Sequence, residues 1–235
     1  MITLRYNLKA CKMKKILTIL LALITTGIFA QEPIEKTIGE FKVLKVYDLI
    51  NVELIKSDTN KVIISGENIS SVLLNNKNGT LKIKMSLEEI FDGNKTKVKL
   101  YYTALDVIDV NEGSKVSSND EIKQFEIDLR AQEGGIIDVI VNTTYNNVKA
   151  VTGGIITVSG TSKTQKVSLL TGGVYKGETL KTEETKVSIN AAGEAYVNAS
   201  EMVDVKIRAG GDVFIYGDPK TVNESRVFGG RVKRM

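Results

Sequence analysis

A glycine repeat with a period of about 19 residues constrains the fold of this chain more than any other sequence feature. Small–Gly or Gly–Gly pairs recur in its C-terminal half, and their second members are Gly135, Gly154, Gly173, Gly193, Gly211 and Gly230. The intervals between them are 19, 19, 20, 18 and 19 residues. We expect each glycine to mark a corner where a side chain would collide with its surroundings or where φ must be positive.

Apolar residues keep a constant phase around the first five of these glycines. Six residues before each glycine stand Leu129, Val148, Val167, Val187 and Val205, and four residues after it stand Val139, Val158, Gly177, Val197 and Ile215. This pattern predicts coils of two or more short strands, stacked about 4.8 Å apart with equivalent residues above one another. An antiparallel sandwich with regular turns is the alternative, although a sandwich does not require ladders that stay in phase. We therefore predict a glycine-cornered β-solenoid over residues 111–235.

The region before the repeat, residues 31–110, also reads as strands. Apolar residues alternate with lysine at a period of two, which predicts roughly seven strands with one buried side each. The clearest runs are Phe41–Val46, Lys61–Ser65, Leu81–Met85 and Lys97–Tyr101. Leu87–Phe91 is the one segment expected to form a helical turn. The fold class is thus all-β, with a strand-rich N-terminal part and a solenoid, or one continuous domain over residues 38–235.

Residues 1–30 have the pattern of a secretory signal peptide preceded by an upstream extension. Lys14 and Lys15 form a basic start, and Ile16–Ile24 is apolar except for Thr18. Thr25–Ala30 leads to the expected cleavage after Ala30, with Ile28 where a small residue is usual. The apolar run is too short for a membrane span, which needs about 20 residues. We expect export and a mature chain that begins near Gln31, translated from Met1 or Met13. A retained N-terminal anchor is the alternative.

Removal of this leader changes the charge and the reactive groups of the chain. The leader holds five basic residues and no acidic one, so the 32 basic residues of the whole chain fall to 27 against 28 acidic residues. Such a balance does not predict nucleic-acid binding. The chain has no His, and its one Cys, Cys11, lies in the leader. These counts exclude a Ser-His-Asp triad and a His- or Cys-bearing zinc site in the mature protein.

Carboxylates are the remaining candidates for acid–base chemistry. Asp106, Asp109, Glu112 and Asp120 are close in sequence and could serve a glycoside hydrolase or, with calcium, a polysaccharide lyase. The outward positions after the glycines are Asp138, Thr157, Lys176, Tyr196 and Phe214, which form no acidic ladder. Gly134–Asp138 and Gly210–Asp212 lack the nine-residue spacing of calcium-binding repeats. We therefore interpret the acids as solvated and predict no catalytic residue, metal ligand or cofactor.

Aromatic residues are the other candidates for binding. Rings that stack on sugars could come from Tyr101, Tyr102, Tyr145, Tyr196, Phe214 and Tyr216. The alternative is that they fill the core or lie on an ordinary surface.

Several motifs together resemble a known family. They are the opening Phe41–Leu54, the turn and strand Asn78–Ile83, the segment Tyr102–Val110, the Gly–Gly repeats and the terminal Val227–Val232. Over nearly all of residues 38–235 the chain resembles the putative auto-transporter adhesin head GIN domain family of exported bacterial proteins, common in Bacteroidetes. This resemblance implies a right-handed, β-helix-like all-β domain and a location in the periplasm, at the outer-membrane surface or outside the cell.

The function that these observations favour is a non-catalytic envelope or secreted module with an adhesin-like or scaffolding role. Its partner would be a glycan or an envelope or cell-surface protein, and no nucleic acid or integral membrane span is expected after signal cleavage. A carbohydrate-active enzyme that uses carboxylates is the alternative.

Overall fold

The structure, a computed structural model, describes residues 32–235 and consists almost entirely of β-strands. The predicted leader, Cys11 and the expected mature terminus at Gln31 lie outside the described residues. Two 3-10 turns, Ile69–Ser71 and Leu87–Glu89, are the only helical segments in residues 32–235, and the second coincides with the predicted helical turn.

Eight short strands come first: β1 Ile34–Thr37, β2 Val43–Val46, β3 Asn51–Lys56, β4 Lys61–Gly66, β5 Val72–Lys77, β6 Thr80–Met85, β7 Thr96–Tyr102 and β8 Val107–Val110. Five long and three short strands follow: β9 Lys115–Gln132, β10 Ile136–Val151, β11 Ile155–Leu170, β12 Gly173–Ile189, β13 Gly193–Ala209, β14 Asp212–Tyr216, β15 Thr221–Phe228 and β16 Arg231–Arg234.

The long strands stack in parallel, one coil above the next. Ile136 of β10 pairs with Ile155 of β11, and Ile155 pairs with Val174 of β12, so each pairing advances by the length of the glycine repeat. From β9 to β13, each long strand pairs in parallel with the next one along the chain. The predicted β-solenoid is therefore confirmed, and the antiparallel sandwich is wrong for this part of the chain.

Each long strand contributes to two faces of the solenoid. The first half of β9 pairs with β3 and its second half with β8. Likewise the first half of β13 pairs with β14 and its second half with β15. We call the sheet formed by the first halves of the long strands face 1; it continues through β3, β7, β14 and β16. We call the sheet formed by their second halves face 2; it continues through β8, β2, β6 and β15. The inward side chains of both faces form one buried cluster.

The inward ladders predicted from the glycine phase are confirmed. Val148, Val167 and Val187 are buried above one another on face 2. Ile156 and Tyr175 are buried in register on face 1. Since strands alternate their side chains, the residues between these positions point outward and form rows of their own.

The bend in the middle of each long strand has a polar interior, which the sequence pattern did not predict. Thr143 donates from Oγ1 to Ser162 Oγ at 3.0 Å in the next coil. Asn146 donates from Nδ2 to Gln165 Oε1 at 3.4 Å, and Gln165 donates from Nε2 to Thr185 Oγ1 at 3.2 Å. In β10 the buried positions change from odd to even numbers between Thr143 and Asn146. The bend thus interrupts the alternation, and buried polar side chains hydrogen-bond from coil to coil there.

The glycine pairs close the coils for two different physical reasons. At Gly172, φ is +75° and an added Cβ would meet nothing within 4 Å, so the left-handed backbone alone favours glycine. At Gly173, an added Cβ would lie 2.3 Å from the carbonyl oxygen of Ala150 in the neighbouring coil. Gly135 and Gly154 share this close approach, whereas Gly193, Gly211 and Gly230 have φ values of +142°, +118° and +96°.

The two ends of the solenoid are finished differently. At the N-terminal end, antiparallel strands replace parallel ones, because β4 pairs with β1 and β7 and β5 pairs with β6 in that sense. At the C-terminal end, Glu224 and Arg226 of β15 stand above the buried Val205 and Ile207. Charged side chains at inward positions oppose the addition of a further strand.

We expect Gly173→Val to lower the free energy of unfolding by about 2 kcal/mol or more, because the new side chain would collide with the backbone of the coil below. Lys149→Ala, on the outer side of face 2, is the control and should change it by less than about 0.5 kcal/mol. Urea denaturation of both variants measures the difference. Equal effects would contradict the assigned phase.

Candidate functional site

The outer side of face 1 carries a row that changes from polar to aromatic residues along the stack. In register, the row runs through Asp138, Thr157, Lys176, Tyr196, Phe214 and Lys233. The rings of Tyr196 and Phe214 stack with their centroids 4.7 Å apart and an angle of 13° between their planes. These outward positions are those predicted from the sequence, and the aromatic pair offers one flat apolar surface near the C-terminal end.

The outer side of face 2 carries two adjacent polar rows. One row consists of Arg130, Lys149, Ser168, Ser188 and Lys206, and the other of Asp128, Asn147, Lys166, Lys186 and Asp204. We call the four lysines of consecutive coils, Lys149, Lys166, Lys186 and Lys206, the lysine arc. All four are exposed, while Ser168 and Ser188 between them are half-buried. The arc therefore surrounds two hydroxyl groups with four cations.

The four clustered carboxylates of the sequence do not converge in the structure. Asp106 is exposed and lies 3.7 Å from Lys42 Nζ. Asp109 is buried, lies 3.0 Å from Lys45 Nζ and accepts a hydrogen bond from Asn111 Nδ2 at 3.2 Å.

The other two carboxylates lie at separate places. Glu112 accepts a hydrogen bond from the backbone N–H of Asp48 at 3.3 Å, and burial raises its pKa, as does the neighbouring Asp48 carboxylate. Asp120 accepts one from the backbone N–H of Lys56 at 3.4 Å. Each of the four acids thus has its own local partner.

A different group of carboxylates, which sequence reasoning missed, does share a cavity. Asp106, Glu126 and Asp128 line a shallow, open cavity of about 490 Å³ on face 2, together with Gln124 and Phe125. The signal that could have found it is the parallel pairing of β8 with β9, which brings Val107 opposite Asp128.

Two of these carboxylates are held by hydrogen bonds. Asp128 accepts from Arg130 Nη2 at 2.7 Å and from Asn147 Nδ2 at 2.9 Å. Glu126 accepts from the same Asn147 amide at 2.7 Å. Asp128 is thus bound by an arginine and an amide, and Glu126 by the amide alone, so both carboxylates already have local hydrogen-bond partners.

The predicted aromatic residues are dispersed over the molecule. Tyr102 is buried, which raises its pKa to about 12, and Tyr101 lies under Lys61 Nζ with 4.7 Å between the nitrogen and the ring centroid. Tyr145 meets Phe125, which the sequence analysis did not single out, edge to face with 5.3 Å between ring centroids. Within residues 32–235 the rings therefore form an exposed pair, Phe125 with Tyr145, and a separate half-buried pair, Tyr196 with Phe214, rather than a continuous aromatic track.

In Gly210–Asp212, one of the two segments that resemble calcium-binding repeats, the carboxylate is bound by an arginine. Arg231 donates two hydrogen bonds to Asp212, at 2.8 and 2.6 Å, and lowers the pKa of that carboxyl. Across residues 32–235, His, Cys, Asp and Glu side chains nowhere come together in the numbers that a metal ion needs. In the same part of the chain, no helix has the length and apolar character to cross a membrane.

Comparison with known proteins identifies the family. The sequence profile described as "Putative auto-transporter adhesin, head GIN domain" matches residues 40–219. The chain belongs to this family. The resemblance expected from the sequence motifs is thereby confirmed. None of the curated proteins matches the chain in sequence.

Solved structures of three bacterial proteins share the fold of this family member. A putative adhesin from Bacteroides fragilis aligns with a TM-score of 0.80 at 18% identity, over 88% of this chain and 98% of that chain. A putative adhesin from Parabacteroides merdae aligns with a TM-score of 0.69 at 16% identity, over 89% and 98%. A putative lipid binding protein from Parabacteroides distasonis aligns with a TM-score of 0.60 at 16% identity, over 87% and 98%. At these identities the similarity establishes the fold alone.

We expect Asp109 to be a structural acid. Asp109→Ala should lower the free energy of unfolding by about 1–3 kcal/mol, because the Lys45 ammonium and the buried Asn111 amide lose their partner. The control Asp106→Ala removes an exposed acid and should change it by less than about 0.5 kcal/mol. Chemical denaturation measures both. A stabilising effect of Asp109→Ala would contradict a structural role and would be typical of a strained functional residue.

Proposed function

We propose that this protein is a non-catalytic binding module of the bacterial cell envelope, which holds an extended partner along the outer faces of its solenoid. The observation that supports it most is the arrangement of outward side chains in straight rows across consecutive coils. A rigid stack repeats similar contacts at a fixed spacing, so many weak contacts add up along a chain-like ligand or a flat partner surface.

The electrostatic arrangement favours binding over catalysis. A hydrolase of this type needs two carboxylates on either side of one scissile bond, with at least one of them free to exchange a proton. Here Asp128 is bound to Arg130, and Asp109 is buried against Lys45. The rows themselves mix hydroxyl, amide, cationic and aromatic groups, which suits recognition of polar polymers.

The proposed location rests on the sequence and on the family. The leader pattern in residues 1–30 favours export, and the family is described by its likeness to an auto-transporter adhesin. An adhesive or scaffolding module at the outer surface would meet glycans and the proteins of neighbouring envelopes. We propose a glycan or an envelope protein as the partner.

A carbohydrate-active enzyme is the second candidate, and the cavity on face 2 is the observation that favours it. Asp106, Glu126 and Asp128 line this cavity beside the exposed ring of Phe125. A sugar could stack on the ring while two carboxylates flank the glycosidic bond.

One experiment separates the two candidates. The purified exported form is screened on glycan arrays and incubated with a panel of polysaccharides, with and without calcium, while new chain ends are assayed. We expect binding without turnover, and we expect Tyr196→Ala or Lys176→Ala to weaken it by no more than about fivefold each, since many contacts contribute to binding. Turnover that Asp106→Asn or Glu126→Gln abolishes, and that the exposed-acid control Asp92→Asn leaves intact, would overturn the proposal.

A further inference from the structure

The lysine arc is an unbalanced cationic strip on a protein whose residues after the leader hold 27 basic and 28 acidic side chains. Lys149, Lys166, Lys186 and Lys206 come from four consecutive coils, β10 to β13. Within residues 32–235, none of these four ammonium groups lies within 4.0 Å of a carboxylate oxygen. The strip is therefore a local feature and does not follow from the overall charge.

The basic residues next to the arc, unlike the four lysines of the arc, form ion pairs with carboxylates. Arg130, in the same row as Lys149, lies 2.7 Å from Asp128, and Lys45 lies 3.0 Å from Asp109. Both of these acids lie on the N-terminal side of the arc. The arc begins where this pattern of ion pairs ends.

One pair inside the arc is unfavourable for folding and calls for another explanation, although Lys186 also has Asp204 as its partner in the next coil. Lys166 and Lys186 are direct partners in the parallel pairing of β11 with β12. Like charges opposite one another on one side of a sheet are destabilising. Their next neighbours along the strands are Ser168 and Ser188, which also pair with each other. Hydroxyl groups do not neutralise ammonium groups, but both hydrogen-bond to carboxylate or sulfate oxygens.

The dimensions of the strip fit one extended chain. In the row that begins at Arg130, Lys149 and Lys206 flank Ser168 and Ser188, so three strand spacings, about 14 Å, separate the backbones of the two lysines. Lys166 and Lys186 lie in the adjacent row, about 7 Å away along the strands. Asp128 and Asp204 occupy the two ends of that second row and limit the cationic area to a narrow band.

We propose that face 2 binds an anionic polysaccharide across consecutive coils, with the four ammonium groups of the lysine arc on its carboxylate or sulfate groups and the hydroxyls of Ser168 and Ser188 on its polar backbone. This inference names the ligand class of the proposed binding function and rests on it. The arc has no aromatic ring on which the bases of single-stranded nucleic acid could stack. It also lacks the apolar side chains that anchor a protein in a lipid surface.

The test compares two variants with the same change of charge. The arc variant carries Lys149→Gln, Lys166→Gln, Lys186→Gln and Lys206→Gln. The control variant carries Lys77→Gln, Lys84→Gln, Lys97→Gln and Lys123→Gln, four exposed lysines outside the arc and outside the rows described above. Calorimetry at several salt concentrations measures binding to three anionic polysaccharides, namely polygalacturonate, alginate and heparin. Neutral dextran, single-stranded DNA and anionic phospholipid vesicles serve as comparison ligands. Thermal unfolding confirms that both variants fold.

We expect the unmodified protein to prefer at least one anionic polysaccharide over dextran, DNA and vesicles. The arc variant should lose about tenfold or more of this affinity and much of its salt dependence, since each exposed ion pair contributes modestly and four are removed. The control should stay within about twofold of the unmodified protein.

Three results would overturn the inference, in addition to the neutral-glycan result given below. They are equal losses in the two variants, no anionic polysaccharide bound, and binding of DNA or vesicles as tight as that of any polysaccharide. Binding to a neutral glycan that the arc variant retains would overturn the inference and leave the proposed function standing, whereas turnover of a polysaccharide would overturn the proposed function itself.

Discussion

Parallel hydrogen bonding between successive coils is the interaction on which the rest of this structure depends. A single coil buries little, so each rung is stable only when the next lies in register on it. Close approach of the turns is the condition for this register, and at Gly173 only the absence of a side chain lets the turn lie against the Ala150 carbonyl. Once the register is set, it stacks Val148, Val167 and Val187 inside and fixes the rows outside.

The sequence predicted what depends on local periodicity and missed what depends on departures from it. The alternation around the glycines was enough to place Tyr175 inside and Lys149 outside, because parity and phase decide these directions. The polar interior at Thr143 and Asn146 was not predictable. The bend there changes which alternate residues are buried, from odd to even numbers, and no glycine marks its position in the sequence. The antiparallel strands at the N-terminal end also resemble the parallel ones in sequence, and partner choice there depends on distant segments.

Prediction of the site was limited for a related reason. Acids that are neighbours in sequence can have different surroundings. Asp109 lies in β8, whereas Glu112 lies in the turn that follows this strand. Acids that share a cavity, such as Asp106, just before β8, and Asp128 of β9, come from different coils. In a solenoid, surface chemistry is assembled across coils about one repeat apart. The informative unit for function is therefore the row, read at intervals of about 19 residues.

The most direct test of this account is the formation of disulfides between engineered cysteines in a protein that begins at Gln31, since residues 31–235 contain no cysteine. Thr157 and Lys176 are in-register partners on the outer side of face 1, so the pair Thr157→Cys with Lys176→Cys should cross-link readily under mild oxidation. Lys149 and Thr157 would be opposite each other if the turn at residues 152–154 closed an antiparallel hairpin. The account predicts cross-linking for the first pair and none for Lys149→Cys with Thr157→Cys, and the reverse result would contradict it.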